Sequence, residues 1–247
     1  MFALDLNRPR DLGAILGTCL SLYTKYFLLF ASLAFGVVLP IDLALYGVGA
    51  RELWSGYDES VPLATGMADL LVPPLVVLPL VSANHARAVV ALGQGTVPAI
   101  GRTLLQSLRL LPAVAWVVFL YDLGSFGGLI LLIAPGIYLY VRWYVCAQAT
   151  VVEEIHGRRA LGRSAELVSG SWWRVCGISI VLALIVAAAG YAVSLPLYLL
   201  ADRVDSGRVS LVGQVLSDAI VYSFGALSAT LLYFDLRSRH AEPELGR

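Results

Sequence analysis

Apolar residues in this chain come in long runs that polar residues interrupt only briefly. Such runs recur from Phe27 to Phe234, with no long polar segment between them. Because about 20 apolar residues are needed to cross about 30 Å of hydrocarbon, these runs predict membrane-spanning helices. Five or six segments qualify, and we place them at residues 27–48, 66–88, 112–134, 137–153, 175–199 and 211–234. The predicted fold is therefore all-α, a polytopic membrane protein of about six transmembrane helices.

The third and fourth predicted spans are separated only by the sequence IAPGI. A single helix over residues 112–153 would be about 60 Å long, twice the bilayer, so the chain has to turn back. Proline ends a helix because it lacks an N–H, and glycine accepts turn conformations, which places the turn at Pro135-Gly136. The more polar sequence DLGSFGG at residues 122–128 is an alternative turn, in which case Pro135 would only kink the fourth helix.

Three amphipathic segments precede the predicted hairpins, so we predict three units, each an interfacial helix followed by a membrane hairpin. AIGRT at 99–103 and ALGRS at 160–164 are similar in sequence. In the second segment Ile100, Leu104, Leu108 and Leu111 would share the apolar face. The basic residues expected at the interface are Arg102, Arg109, Arg158, Arg159 and Arg163. Two interpretations are open: recognition of anionic lipid headgroups, or plain anchoring.

Composition supports the membrane assignment and adds an orientation. The chain is 59% hydrophobic and 14% charged, whereas soluble domains are about half apolar and a quarter charged. Its 17 basic and 17 acidic residues balance, which gives no indication of a nucleic-acid partner. In the six-span topology thirteen basic residues lie on one side and three on the other, with Arg142 inside a span. This asymmetry predicts a cell (inner) membrane protein with both termini in the cytoplasm, whereas five spans would place the basic tail outside.

We accordingly divide the chain into three parts. Residues 1–26 form a cytoplasmic N-terminus with an interfacial helix, residues 27–236 the six-helix transmembrane domain, and residues 237–247 a cytoplasmic tail. The polar N-terminus has no features of a cleavable signal peptide, so we expect the first membrane helix to be retained.

Sequence patterns typical of catalysis are missing. Cys19, Cys146 and Cys176 lie far apart, the three histidines are isolated from one another, and EEIHG at 153–157 is not the zinc-binding pattern HExxH. Nucleophile-elbow, P-loop and dinucleotide-binding glycine patterns do not occur. We therefore expect no metal, no cofactor and no enzymatic activity.

Charged residues inside the predicted spans are the sharper indication of a site. An ionisable group in hydrocarbon costs several kcal/mol unless it is paired. Asp42, Arg142 and Asp218 would lie at similar depth in three spans, with Asp122 deeper. We predict a carboxylate partner for Arg142 in a neighbouring helix. The cluster is either a structural clasp between helices or a polar cavity for a lipid headgroup, an ion or a proton.

Glu153 and Glu154 lie at the cytoplasmic end of the fourth predicted span. Acidic residues at a helix C-terminus are unfavourable beside the helix dipole, so a nearby cation should compensate. Three arginines, Arg158, Arg159 and Arg163, are close in sequence. We predict that Glu153 braces this span against the third interfacial helix.

The stretch from 131 to 178 carries a pattern of Pro-Gly-Ile-Tyr, an arginine, a glutamate, Ala-Leu-x-x-Ser and an aromatic-Arg pair. Its residues include Pro135, Gly136, Arg142, Glu153, Ser164, Trp173 and Arg174. The pattern resembles the membrane domain found in some glycerophosphoryl diester phosphodiesterases and, alone, in bacterial and archaeal membrane proteins. The ending LLYFDLRSR at 231–239 is similar to the ending of those stand-alone proteins. The resemblance implies a membrane domain, and since the 247 residues leave no room for the phosphodiesterase barrel, it does not imply that activity.

Two functions follow as hypotheses. The first is a non-enzymatic, lipid-associated scaffold or partner-binding membrane domain. Its partners would be the lipid bilayer, possible anionic headgroups, and a protein partner or a second copy of the chain. The alternative is a small transporter or permease that uses the intramembrane Asp/Arg cluster, since buried charge and proline-broken helices mark substrate paths in transporters.

Overall fold

The computed structural model describes residues 5–6, 8–50, 62–204 and 206–245. Helix accounts for 88% of these residues, and none of them is in a strand. The predicted all-α class is confirmed. Arg51 and Arg247, which entered the count of basic residues, lie outside the described residues.

Ten α-helices follow one another in the described part of the chain. They are α1 (Leu12–Lys25), α2 (Phe27–Leu45), α3 (Leu63–Val72), α4 (Leu78–Gly93), α5 (Ile100–Leu131), α6 (Ile133–Arg142), α7 (Cys146–Val152), α8 (Arg158–Val168), α9 (Trp172–Val204) and α10 (Gly207–Leu245). A five-residue π-helical segment extends each of two of these helices. Tyr46–Ala50 follows α2 and contains Gly49 at φ 101°, and Pro73–Val77 joins α3 to α4.

Five helical segments are long and apolar enough to cross a membrane. They are Phe27–Gly49, Leu63–Gly93, Ile100–Leu131, Trp172–Val204 and Gly207–Ala241. The chain is therefore a multi-pass membrane protein. The fourth predicted span, at residues 137–153, is not one continuous helix, because the chain leaves helical geometry at Trp143–Val145 between α6 and α7.

The chain turns between α5 and α6 at a single residue. Leu132 is extended, at φ −159° and ψ 138°, and α6 begins at the next residue. The turn thus lies three residues before Pro135, which falls in the first turn of α6, where its missing N–H would have no helical partner. Helix α5 continues through residues 122–128, so the alternative turn at DLGSFGG is wrong.

Glycines let α5 and α6 approach closely beside this turn. A Cβ added to Gly136 would lie 2.4 Å from the backbone nitrogen of Leu129, and one on Gly128 would lie 2.8 Å from the Cα of Gly136. Both positions therefore require glycine for helix packing, and Gly136 does so within α6 rather than at the turn itself.

Two of the three amphipathic segments are separate helices, namely α1 and α8. The second is continuous with the membrane helix α5, with Pro112 inside it. Its buried residues include Thr103, Ser107 and Val114, whereas Leu108 is 54% exposed. The predicted apolar face is therefore divided: Leu104 and Leu111 pack against the core, whereas Ile100 and Leu108 are exposed.

Helix α10 lies at the centre of the bundle. It packs against α9, α4, α2 and α1. Its buried residues from Leu227 to Leu236 join the largest apolar cluster, together with residues of α1, α2, α4, α8 and α9. The C-terminal half of α10 is thus the axis around which the polar contacts described below are arranged.

Candidate functional site

A buried carboxylate near the end of α10 joins three parts of the chain. Asp235 is fully buried and pairs with Arg174 at 2.6 Å and with Arg239 at 3.1 Å. It also accepts a hydrogen bond of 2.5 Å from the backbone N–H of Arg10. The N-terminal segment, the start of α9 and the end of α10 therefore meet at one carboxylate, and we call Arg10, Arg174, Asp235 and Arg239 the terminal lock.

The terminal lock also satisfies the backbone at Arg10. The carbonyl of Arg10 accepts hydrogen bonds from Arg174 at 2.5 Å and from Arg239 at 3.1 Å. Burial lowers the pKa of Arg10, and the nearby carboxylates Asp5 and Asp235 oppose that shift. A buried guanidinium is tolerated here because acidic groups and carbonyls surround it.

A second carboxylate joins α7, α8 and α10. Glu153 accepts two hydrogen bonds from Nε of Arg163, at 2.9 and 3.0 Å, and one of 2.6 Å from the hydroxyl of Tyr233. Burial lowers the pKa of Arg163, but the hydrogen bond and charge of Glu153 outweigh it, so the pKa is raised overall. The geometry matches the predicted brace, with Arg163 as the cation and Tyr233 as a partner that sequence reasoning missed.

A serine fills the break between α6 and α7. The break leaves the carbonyl of Arg142 and the N–H of Val145 without helical partners. The buried hydroxyl of Ser164 donates to that carbonyl at 3.1 Å and accepts from that N–H at 3.3 Å. Ser164 thereby holds α8 against the break.

The side chain of Arg142 lies elsewhere than predicted. It is exposed, donates a hydrogen bond of 2.7 Å to the hydroxyl of Tyr138, and lies 5.5 Å from the centre of that ring. Among the described residues it forms no ion pair, so the predicted carboxylate partner in a neighbouring helix was wrong. The reason is the break after residue 142, which ends α6 at the surface.

The acidic members of the predicted cluster separate into two places. Asp42 and Asp218 interact electrostatically with each other and with Asp69, which sequence reasoning missed. Asp122 lies apart from them, beside Cys146. Asp42 is only 4% exposed, and its Oδ2 has no hydrogen-bond partner among the described residues. No group of three or more His, Cys, Asp or Glu residues in the described ranges is placed to hold a metal ion.

The remaining predicted interface residues are exposed. The arginines Arg102, Arg109, Arg158 and Arg159 are exposed and form no ion pair with the residues that the structure describes. Trp173 is 82% exposed and packs edge-on against Trp172. All of these residues except Arg109 lie within the first three residues of a helix, and exposed arginine and tryptophan side chains near helix ends are typical of a membrane-water interface.

A buried hydrogen-bonded pair was not predicted. His85 of α4 contacts the hydroxyl of Ser223 at 2.7 Å through Nε2 and the carbonyl of Val81 at 2.9 Å through Nδ1. Serine, histidine and an orienting acceptor also occur in hydrolases, yet His85 and Ser223 are both fully buried and Phe30 stacks on the histidine ring. The pair links α4 to α10 inside the core. Its residues are 138 positions apart, and no sequence pattern links them.

Two cavities lie next to basic residues. The larger, of about 480 Å³, is bounded by the N-terminal segment, one side of α1 and Leu92 at the end of α4, and its lining includes Arg8, Arg10 and Lys25. We call it the N-terminal cavity. The smaller, of about 150 Å³, includes Tyr138, Arg142 and Trp172 and is called the Arg142 cavity.

Fold and polar contacts define an all-α, multi-pass membrane protein whose helix ends are joined by the buried carboxylate of Asp235 and the half-buried carboxylate of Glu153. The chain belongs to the family described as a domain of unknown function, DUF8558, which matches residues 104–243, more than half of its length. This range includes Arg142, Glu153, Arg174 and Asp235. No curated protein and no solved structure matches the chain.

Proposed function

We propose that this protein is a non-enzymatic, lipid-associated membrane domain that holds an anionic lipid at its cytoplasmic face. The N-terminal cavity carries the proposal. Three of its lining residues, Arg8, Arg10 and Lys25, are cationic, and one, Asp5, is acidic. A cavity with this excess of positive charge favours an anionic group.

The shape of the N-terminal cavity also suits a lipid. Small residues of α1, Ala14 and Gly17, line it beside the apolar side chains of Leu22 and Leu92. A volume of about 480 Å³ is within the range of small-molecule sites. A ligand with a charged headgroup and an apolar chain would use both parts of this lining.

Lipid retention by the full chain tests the proposal. We would extract the protein with mixed phosphatidylglycerol and phosphatidylcholine and count the retained lipids by native mass spectrometry. We expect selective retention of phosphatidylglycerol and the loss of one bound phosphatidylglycerol in the Arg8→Gln, Lys25→Gln double variant. Arg208→Gln is the matched control, since Arg208 is exposed and lies outside this cavity. Equal retention of both lipids by the wild type would mean plain anchoring and would refute the proposal.

For topology, we propose six crossings with both termini in the cytoplasm. The terminal lock supports an even number of crossings between Arg10 and Arg174, because Arg174 contacts both Arg10 and Asp235 at one end of the bundle. Three long segments, ending with α5, lie between Arg10 and Arg174, so a fourth crossing is needed if all three cross. The part of the chain left to supply it is the segment between α5 and α8, which contains α6 and α7. In this topology most of the basic residues lie on the same side as the two termini, and the positive-inside rule places that side in the cytoplasm.

Cysteine labelling tests this topology. In a background with the three native cysteines replaced by alanine, we would place a cysteine at Leu132, which is 68% exposed, or at Ser169. A membrane-impermeant maleimide should label residue 132 in right-side-out vesicles and residue 169 in inside-out vesicles. Labelling of both from the same side would instead show that α5 and α6 form a re-entrant hairpin and that the chain crosses four times.

A transporter is the second candidate, and the buried Asp42 favours it. Its carboxylate interacts with Asp69 and Asp218, and wide helical turns follow α2 and α3. Buried carboxylates near broken helices are typical of cation or proton paths. Arg142 does not belong to this group of carboxylates, because its side chain is exposed and bonds to Tyr138. Proton flux into liposomes loaded with a pH-sensitive dye would test it, with Asp42→Asn expected to abolish the flux and Asp202→Asn, an exposed site, to leave it unchanged.

The resemblance to the membrane domain of glycerophosphoryl diester phosphodiesterases remains a proposal that rests on the residue pattern alone. In this chain the pattern residues Glu153, Ser164 and Arg174 make helix-joining contacts. These contacts favour a structural role for the pattern and give no support for phosphodiester hydrolysis.

A further inference from the structure

The Arg142 cavity lies where the end of α6 meets the junction between α8 and α9. Tyr138 and Arg142 line it from α6, and Ser169, Gly170 and Trp172 line it from the junction. Its volume of about 150 Å³ holds only a few water molecules, each of which takes about 30 Å³ in the liquid. Sites for drug-sized ligands start at about 300 Å³, so this cavity suits a small polar group rather than a whole metabolite.

Arg142 is the charged residue among those that line this cavity. A guanidinium has five N–H donors, and one nitrogen of Arg142 donates to the hydroxyl of Tyr138 at 2.7 Å. No carboxylate of the described residues pairs with it. Donors therefore remain for an anionic ligand.

Two aromatic rings hold the arginine in place. Its guanidinium lies over the ring of Tyr138, and the ring of Trp172 stacks on Tyr138 with centroids 6.0 Å apart. The indole N–H of Trp172 donates to the backbone carbonyl of Tyr138 at 3.3 Å. An arginine ordered in this way loses less side-chain entropy when it binds a ligand.

The surface around the cavity is apolar. Ile133 is 70% exposed, Ile137 43% and Trp173 82%, and in a membrane-spanning chain such side chains contact lipid. An anion bound here would therefore carry its apolar part along the same surface. Arginine recognises phosphate through paired, charge-assisted hydrogen bonds.

We infer that the Arg142 cavity binds the phosphate group of a phospholipid headgroup, with the acyl chains along the exposed face of α6. This site is separate from the N-terminal cavity. Its test uses variants of Arg142 and Tyr138 and does not depend on the result for the Arg8 and Lys25 variants.

The test uses native mass spectrometry of the full chain in detergent, titrated with phosphatidylglycerol. Arg142→Gln should weaken the binding of one lipid about tenfold, as expected for the loss of a charged hydrogen bond. Tyr138→Phe, which keeps the charge but removes the acceptor that positions it, should weaken the same binding event by a smaller factor. Arg158→Gln is the matched control, because Arg158 is also an exposed interfacial arginine but does not line the cavity.

Two further ligands show whether the cavity recognises the phosphate of a lipid headgroup or free phosphate. Diacylglycerol has the same chains without phosphate, and inorganic phosphate has the anion without chains. We expect wild type to bind phosphatidylglycerol more tightly than either, and inorganic phosphate to compete only weakly. Tighter binding of inorganic phosphate than of the lipid would overturn the lipid assignment.

Unaltered lipid affinity in both Arg142→Gln and Tyr138→Phe would overturn the site itself. Thermal unfolding of each variant without lipid serves as the folding check. Arg142→Lys distinguishes charge from geometry, because lysine keeps the cation but lacks the planar pair of donors, so it should recover only part of the affinity.

Discussion

Arg174 and Asp235 are 61 residues apart in the chain, and their side chains form an ion pair of 2.6 Å in which the carboxylate is fully buried. Arg174 is at the start of α9, and Asp235 is near the end of α10. Since Arg10 bonds to both residues, this pair also ties the N-terminal segment to the last helix. The contact positions the membrane hairpin α9–α10 relative to α1.

Removal of Asp235 should be strongly destabilising. In Asp235→Ala, Arg10, Arg174 and Arg239 would remain close together without a carboxylate between them. Breaking a buried ion pair by removing one partner costs about 3–5 kcal/mol, so we expect the free energy of unfolding in detergent to fall by about this amount. Asp202→Ala, at an exposed position of α9, should change it by less than about 0.5 kcal/mol. Equal stability of the two variants would show that the terminal lock does not stabilise the bundle.

Tyr233 and Glu153 should be energetically coupled. The hydroxyl of Tyr233 donates to Glu153 at 2.6 Å within the core. Because hydrogen bonds to charged groups contribute about 1.5–3 kcal/mol, Tyr233→Phe should lower the unfolding free energy by an amount in that range. Tyr191→Phe is the control, since Tyr191 is 72% exposed.

A double-mutant cycle measures this coupling directly. The cycle combines Tyr233→Phe with Glu153→Gln and compares the sum of the single effects with the effect of both changes. We expect the double variant to lose less stability than that sum. Strict additivity would mean that the two side chains do not stabilise each other.

Local contacts were predictable from the sequence, and distant ones were not. Glu153 and Arg163 are ten residues apart and lie on either side of a short connection, so charge compensation at a helix end indicated their pairing. Asp235 and the backbone of Arg10 are 225 residues apart, and no pattern in a single sequence links them. The charged ending of α10 indicated only that a helix leaves the membrane.

Arg142 shows how a wrong assumption about burial misleads a site prediction. An arginine inside an apolar run implies a partner if the run is one membrane helix. The chain instead leaves helical geometry at Trp143–Val145, and the side chain lies at the surface. The break has no proline or glycine signal, because Ser164 of α8 supplies the missing hydrogen bonds from outside the segment.

Cys19 should give the stability of the protein a dependence on alkaline pH. Burial raises the pKa of its thiol from an ordinary value of 9.0 to about 12, while a hydrogen bond with Ser228 partly opposes the shift. The folded state thus favours the neutral thiol. Its contribution to stability is complete below about pH 9 and is lost as the pH rises toward 12.

Unfolding between pH 8 and 11 tests this dependence. Cys19→Ala should flatten the decline in stability with rising pH, whereas Cys176→Ala, at a partly exposed thiol, should leave it unchanged. In the native protein at pH 8, a maleimide should react with Cys176 well before Cys19. Rapid modification of Cys19 under those conditions would contradict the buried position of α1 in the core.

The packing of α5 against α6 makes a sharp prediction about three glycines. A Cβ on Gly128 or Gly136 would meet the backbone of the other helix at 2.8 and 2.4 Å, respectively, whereas one on Gly127 would meet nothing within 4 Å. Backbone cannot move aside as a flexible side chain can, so Gly128→Ala and Gly136→Ala should each cost about 1–3 kcal/mol or more.

Gly127→Ala is the matched control, because it adds the same methyl group to the same helix, one residue from Gly128. It should be neutral or slightly stabilising, since alanine is about 1 kcal/mol better than glycine within a helix. The comparison therefore predicts opposite signs at adjacent positions. Effects of the same sign at Gly127 and Gly128 would mean that α5 presents a different face to α6. The residues that line the Arg142 cavity, at the far end of α6, would then differ as well.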